Sequence, residues 1–155
     1  MSFVNVWYFA YGTNAKIDQV RARIGYFKLS KRAIVRNYKL IFNVYSKFWR
    51  GYTANIRHTG NFDDKVLGVV YHISDLQLSK LHTSDGPEPT EISIELEDGN
   101  EIKNVKTFIW NTEEHEHEPP EAYWRRMEDG FIEHGYERLI VRRIFTDRFG
   151  QRKSV

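Results

Sequence analysis

An apolar run, Val4-Asn5-Val6-Trp7-Tyr8-Phe9-Ala10, stops abruptly at Tyr11-Gly12-Thr13-Asn14. Glycine lets a backbone turn sharply and approach a ligand closely. Where a helix begins just beyond such a loop, the first amides have no intrahelical partner and the positive end of the helix dipole lies behind them. A loop of this kind holds a carboxylate or a developing oxyanion. From these four residues alone, a plain strand-to-helix turn built of small capping residues is the simpler account. Neither glycine-rich nucleotide-binding pattern is present.

Other residue types with chemical potential are scattered. His115 and His117 stand among Glu113, Glu114, Glu116 and Glu118. A zinc-like ion needs three or four ligands in fixed geometry, whereas alternate side chains of an extended run point apart. The segment is expected to be a solvated, mobile loop, and no metal or other cofactor is expected. His58, His72 and His82 are isolated, and no serine has the Gly-x-Ser-x-Gly setting of a nucleophile elbow. The 155 residues include no cysteine, which excludes disulfides, thiol nucleophiles and thiolate metal sites.

Charge is balanced, with 23 Lys and Arg against 21 Asp and Glu, so no strong field draws the chain to nucleic acid or lipid. Arg138, Arg142, Arg143, Arg148, Arg152 and Lys153 gather near the end and read as a solvated helix face and tail. No apolar run reaches the length of a membrane span, and the N-terminal residues lack the features of a signal peptide. A soluble, cytoplasmic protein without nucleic-acid or membrane partners is expected.

The elements that must position any site follow from periodicity. A buried strand over 3–10 leads into a helix from about Ala15 to Ile24, with Asn14 as its cap and Ile17, Val20 and Ile24 on one face. Residues 26–56 are β-like, with imperfect alternation over Tyr38–Val44 and a strand leading to Ile56. A turn over 59–64 precedes a buried strand, 66–73. Ser74-Asp75-Leu76-Gln77 fits a capping box, with Ile73 and Leu78 as its hydrophobic staple. That helix must stop before Thr83-Ser84-Asp85-Gly86-Pro87. Strands near 91–96 and 101–110 flank Asp98-Gly99, a hairpin turn. Pro119-Pro120 opens a helix carrying Tyr123, Trp124, Met127 and Phe131, stopped at Gly135, and a last helix spans about 136–145. The expectation is one mixed α/β domain over 1–155, with a core over 3–146 and a basic tail over 147–155.

Tyr8-Phe9-Ala10-Tyr11-Gly12-Thr13-Asn14 resembles the Tyr-Phe-Ala-Tyr-Gly-Ser-Asn signature of the gamma-glutamylcyclotransferase family. The likeness continues in order along residues 7–145. Gly51–Ile56 is similar to the family's Gly-Gly-Ile-Ala-Thr-Ile strand, and Gly68-Val69-Val70-Tyr71 to its Gly-Val-Val-Trp strand. Asp85-Gly86 falls where the family reads Glu-Gly. Pro119-Pro120-Glu121-Ala122-Tyr123 resembles the segment that sets a tyrosine against the pocket. The resemblance implies a small mixed β-sheet or barrel with flanking helices.

It also implies a reaction: a small gamma-glutamyl amine or dipeptide becomes 5-oxoproline and free amine, with no cofactor and no water consumed. The substrate's α-amine attacks its own γ-carbonyl, so the enzyme must fold the glutamyl chain and take up a proton. By resemblance, Tyr11 and the backbone of Gly12, Thr13 and Asn14 bind the glutamyl part, Tyr123 orients it, and position 85 supplies the general base. Here that position is Asp85, one methylene shorter than the family's glutamate and so about 1.5 Å less in reach. Glu88 and Glu91 are alternative carboxylates. A catalytically degenerate member, binding a small carboxylate ligand or a protein partner, is the alternative function.

Overall fold

Among residues 4–150, which the computed structural model describes, seven strands and four helices alternate along the chain. Phe3, Arg152 and Lys153 lie outside the described residues. β1 (Asn5–Ala10) pairs antiparallel with β5 (Lys65–Ser74), β5 with β2 (Leu29–Arg36), β2 with β6 (Pro89–Leu96), and β6 with β7 (Glu101–Phe108). A parallel contact between Tyr8 of β1 and Lys106 of β7 closes these five strands into a barrel. β3 (Tyr38–Ser46) and β4 (Gly51–His58) form a separate antiparallel hairpin. The helices are α1 (Ile17–Ile24), α2 (Asp75–Leu81), α3 (Glu121–Glu133) and α4 (Arg138–Phe149). The architecture is the mixed α/β barrel with flanking helices that the resemblance implies.

β5 is paired along both edges and covered on both faces, since the consecutive Val69, Val70 and Tyr71 are all buried, which explains its near-continuous apolar sequence. Val69, Val70 and Tyr71 on it are fully buried with Phe9 of β1 and with Met127 and Phe131 of α3. Each such apolar side chain contributes roughly 1.5–3 kcal/mol through burial. At the end of β5 the capping box forms in full. Ser74 Oγ accepts from the Gln77 amide and Gln77 Oε1 accepts from the Ser74 amide, both at 3.0 Å. Gln77 Nε2 also donates to the Ile24 and Tyr26 carbonyls, tying α2 to the end of α1.

The start of the first helix departs from expectation. The chain makes a single 3-10 turn, Thr13–Ala15, and α1 begins only at Ile17, without a cap from Asn14. The cap comes instead from the last residue of α3. Glu133 Oε1 accepts from the Ile17 amide at 2.6 Å, and its other oxygen pairs with Lys16 Nζ at 2.6 Å. The Asn14 side chain is thereby released for another use.

The imperfect alternation of β3 also has a cause. Its register against β4 shifts between Phe42 and Val44, so Asn43 is the extra residue of a bulge. Asn43 is buried, accepting from Asn55 Nδ2 at 3.2 Å and donating to the Glu114 carbonyl at 3.2 Å. The acidic segment is therefore not the free loop the composition suggests. The His117 amide donates to the Phe42 carbonyl, and the Glu116 carboxylate accepts from the Phe42 amide. Asn55 exchanges two further bonds with the Trp110 backbone.

Arg148, expected on a solvated face, lies 3.4 Å from Glu116 and donates to the Leu40 carbonyl. The backbone of Glu114 and His117 and the carboxylate of Glu116 are bonded to β3 and α4, which holds the segment as a strap along β3 while its other side chains stay exposed. His117 stacks on Tyr52 with ring centroids 4.0 Å apart. Among the described residues, no three His, Asp or Glu side chains gather as a potential metal-ligand set. No helix among them is long and apolar enough to cross a membrane.

Candidate active site

A cavity of about 160 Å³ opens where β1 passes into the 3-10 turn. Tyr11, Gly12, Thr13, Asn14 and Tyr123, the residues singled out from the sequence, all line it. Tyr11 is buried, and its hydroxyl donates to the Phe108 carbonyl at the end of β7. Asn14 turns inward: its Nδ2 donates to the Tyr8 hydroxyl at 3.0 Å, and its Oδ1 accepts from Gln19 Nε2 at 2.9 Å and from Arg23 at 3.3 Å. Tyr71 fixes the backbone of the same residue, donating to the Asn14 carbonyl at 2.7 Å.

Tyr123 enters from the first turn of α3. Its oxygen accepts from the Ala54 amide at 3.0 Å. With the Ala54 amide engaging a lone pair, the hydroxyl proton remains to be donated, and the adjacent space is the cavity. Gly12 is required by this approach rather than by its torsions, which are not left-handed. A Cβ there would lie 2.6 Å from the Tyr123 oxygen. Tyr123 cannot yield easily, being buried and edge-on to Trp49 at 5.4 Å. Gly12→Ala should therefore displace the hydroxyl or the loop by about 1 Å and lower turnover on the order of 100-fold. Steady-state kinetics beside circular dichroism checks this, and unchanged kcat/KM in a folded variant contradicts it.

At the mouth, the carboxylates are arranged differently from the tyrosines. Asp85 lies in the exposed turn that follows α2, its Oδ1 accepting from Ser84 Oγ at 2.8 Å. Its neighbours Thr83, Gly86 and Pro87 line the cavity; the Asp85 side chain does not. Glu88 is exposed, 3.8 Å from His82 Nε2. Glu91 pairs across the sheet with Lys106 at 3.2 Å. Three groups that line the cavity were not assigned to it from the sequence: Tyr8, Arg23 and His82, the last read there as isolated. Tyr8 is hidden by its place in an apolar strand. His82 has its ring parallel to that of Phe108 and its Nε2 3.3 Å from the Gly86 carbonyl.

Burial pushes the Tyr123 hydroxyl up to about 12 and the Tyr136 hydroxyl likewise to about 12. Tyr8, Tyr11 and Tyr71 are raised for the same reason. Tyr123 is thus a protonated donor at neutral pH. In the unfolded chain these groups ionise near pH 10. Between about pH 10 and 12 the unfolded state binds fewer protons, so stability is complete below pH 10 and falls as pH rises. The unfolding midpoint followed by circular dichroism is expected to drop steeply above pH 10, and a flat midpoint to pH 12 contradicts the burial.

These features coincide with a known family. The profile of "Gamma-glutamyl cyclotransferase, AIG2-like" matches residues 8–126, and the chain belongs to that family. No curated protein sequence gives a significant match. Among solved structures, a gamma-glutamyl cyclotransferase superposes with a TM-score of 0.80 at 23% identity, covering 91% of this chain and 86% of that one. An uncharacterized human protein gives a TM-score of 0.80 at 22% identity, with 90% and 86% covered. A yeast gamma-glutamyl cyclotransferase specific to glutathione is more distant, at TM-score 0.60 and 10% identity, with 92% and 96% covered. At these identities the superpositions establish the fold.

Proposed function

We propose that this chain converts a small gamma-glutamyl amine or dipeptide into 5-oxoproline and the free amine. The observation that carries the reading is the cavity in which the loop Tyr11–Asn14 faces a Tyr123 hydroxyl with a proton to donate. The glutamyl part lies along the loop backbone, and Tyr123 orients it. The α-ammonium gives a proton to the base and the amine attacks the γ-carbonyl carbon; the ring nitrogen then sheds a second proton as the C–N bond to the leaving amine breaks, and the departing nitrogen takes up both protons and leaves as an ammonium. Holding both ends of the glutamyl chain together is worth about 7–11 kcal/mol in well-oriented intramolecular reactions. The assigned base is Asp85, its carboxylate swinging from Ser84 into the mouth that Thr83, Gly86 and Pro87 already line.

The exposure of Asp85 favours a second reading, in which the chain binds a small carboxylate without turnover. Release of 5-oxoproline across a panel of gamma-glutamyl amines separates the two, run beside thermal unfolding with and without 5-oxoproline. Turnover supports the enzyme. Stabilisation by the ligand without turnover supports the binding reading, since a native-state ligand raises the midpoint by mass action. Neither effect would refute both.

A further inference from the structure

Arg23 sits in the last turn of α1 and lines the mouth of the cavity, with its guanidinium 3.3 Å from Asn14 Oδ1. Its charge reaches the interior, where it acts on both Tyr8 and Tyr123. Several other arginines are engaged: Arg32, Arg36, Arg126, Arg138 and Arg148 each meet a carboxylate. Arg23 has no ion pair among the described residues, and no Asp or Glu among them lines the cavity. The cavity lining therefore carries one permanent positive charge, at its entrance, and no carboxylate paired with it, Asp85 being turned to Ser84 in the adjacent exposed turn.

Arg23 is not needed to hold Asn14, because Gln19 already donates to the same oxygen at 2.9 Å and Tyr8 accepts from Nδ2. The cavity is small, about 160 Å³, and Arg23 lies at its mouth, so a substrate whose glutamyl part lies on the loop extends its amine half toward Arg23. We propose that Arg23 is the specificity-determining residue for that half, pairing with a carboxylate one carbon from the leaving nitrogen and favouring gamma-glutamyl α-amino acids over uncharged gamma-glutamyl amines. The inference rests on the cyclotransferase reading. A guanidinium matches a carboxylate through paired N–H groups, and the charge-assisted bond is stronger than one to a neutral carboxamide.

The test compares gamma-glutamylglycine with gamma-glutamylglycinamide, which differ only in that carboxylate. Wild type is expected to favour the acid, and Arg23→Gln to cut the acid-over-amide ratio of kcat/KM by about tenfold, mainly through KM. Arg23→Lys should restore part of the preference. The wild-type preference should also shrink with added salt, as an exposed charge at an entrance requires. An unaltered ratio in Arg23→Gln overturns the proposal even if both substrates turn over. If wild type turns over neither, the cyclotransferase reading fails separately. Thermal stabilisation by the same two compounds then decides: an Arg23-dependent preference for the acid upholds the carboxylate contact, and equal stabilisation overturns it.

Discussion

Gly130→Ala is expected to destabilise the chain by about 2 kcal/mol, a fall of roughly 4–8 °C in the unfolding midpoint. On helix propensity alone the change should stabilise, since alanine is better than glycine in a helix interior by about 1 kcal/mol. Packing reverses the sign. A Cβ at Gly130 would lie 2.5 Å from both the Ala15 carbonyl carbon and the Lys16 amide nitrogen, which are backbone atoms of the turn that closes the site loop. Neither can rotate away, so α3 must retreat, at a cost of about 3 kcal/mol for overpacking. The same movement would draw Glu133 off the Ile17 amide and Tyr123 off Ala54. Thermal melts and chemical denaturation measure the effect, and an unchanged or raised midpoint would show that α3 does not press on the loop in this way.

Asp85→Asn carries the largest expected effect on rate. A positioned general base typically contributes about 10²–10⁴-fold, and asparagine keeps the shape of aspartate while removing its proton affinity. If Asp85 is the base, kcat/KM falls by at least about 100-fold. The acid limb of the wild-type pH profile then vanishes in the variant. An acid limb that survives Asp85→Asn but disappears in His82→Asn would move the role to the histidine that lines the cavity. Because the profile of kcat/KM reports the free enzyme, the two outcomes are distinguishable without a ligand-bound structure.

What was legible in the sequence divides by the range of the interactions involved. Ser74 and Gln77 announce a helix start because the capping box is complete within four residues. The tyrosine at position 123 and the loop at 11–14 were found because a family likeness ties them together across the chain. Asn14 was misread as a cap because its true partners are Tyr8, Gln19 and Arg23, while the cap belongs to Glu133, 116 residues from Ile17. The strap after β7 looked solvated because Glu114, Glu116 and His117 are polar. Their hydrogen bonds go to the bulge at Asn43 and to the Phe42 backbone, and nothing in their own composition points there. Arg23 and His82 gain meaning only when β1 meets β7 and the end of α2 is brought beside the loop. A closed barrel makes such neighbours out of residues with no local signal.

The most direct test of the central claim, that the loop Tyr11–Asn14 and Tyr123 hold a gamma-glutamyl group for attack by its own amine, is the identity of the product. Gamma-glutamylglycine is incubated with the protein in water enriched in a heavy oxygen isotope, and the products are examined by mass spectrometry. Cyclisation predicts 5-oxoproline and glycine in equal amounts, with no solvent oxygen in either. Glutamate carrying solvent oxygen would identify hydrolysis and contradict the account, as would recovery of the substrate unchanged.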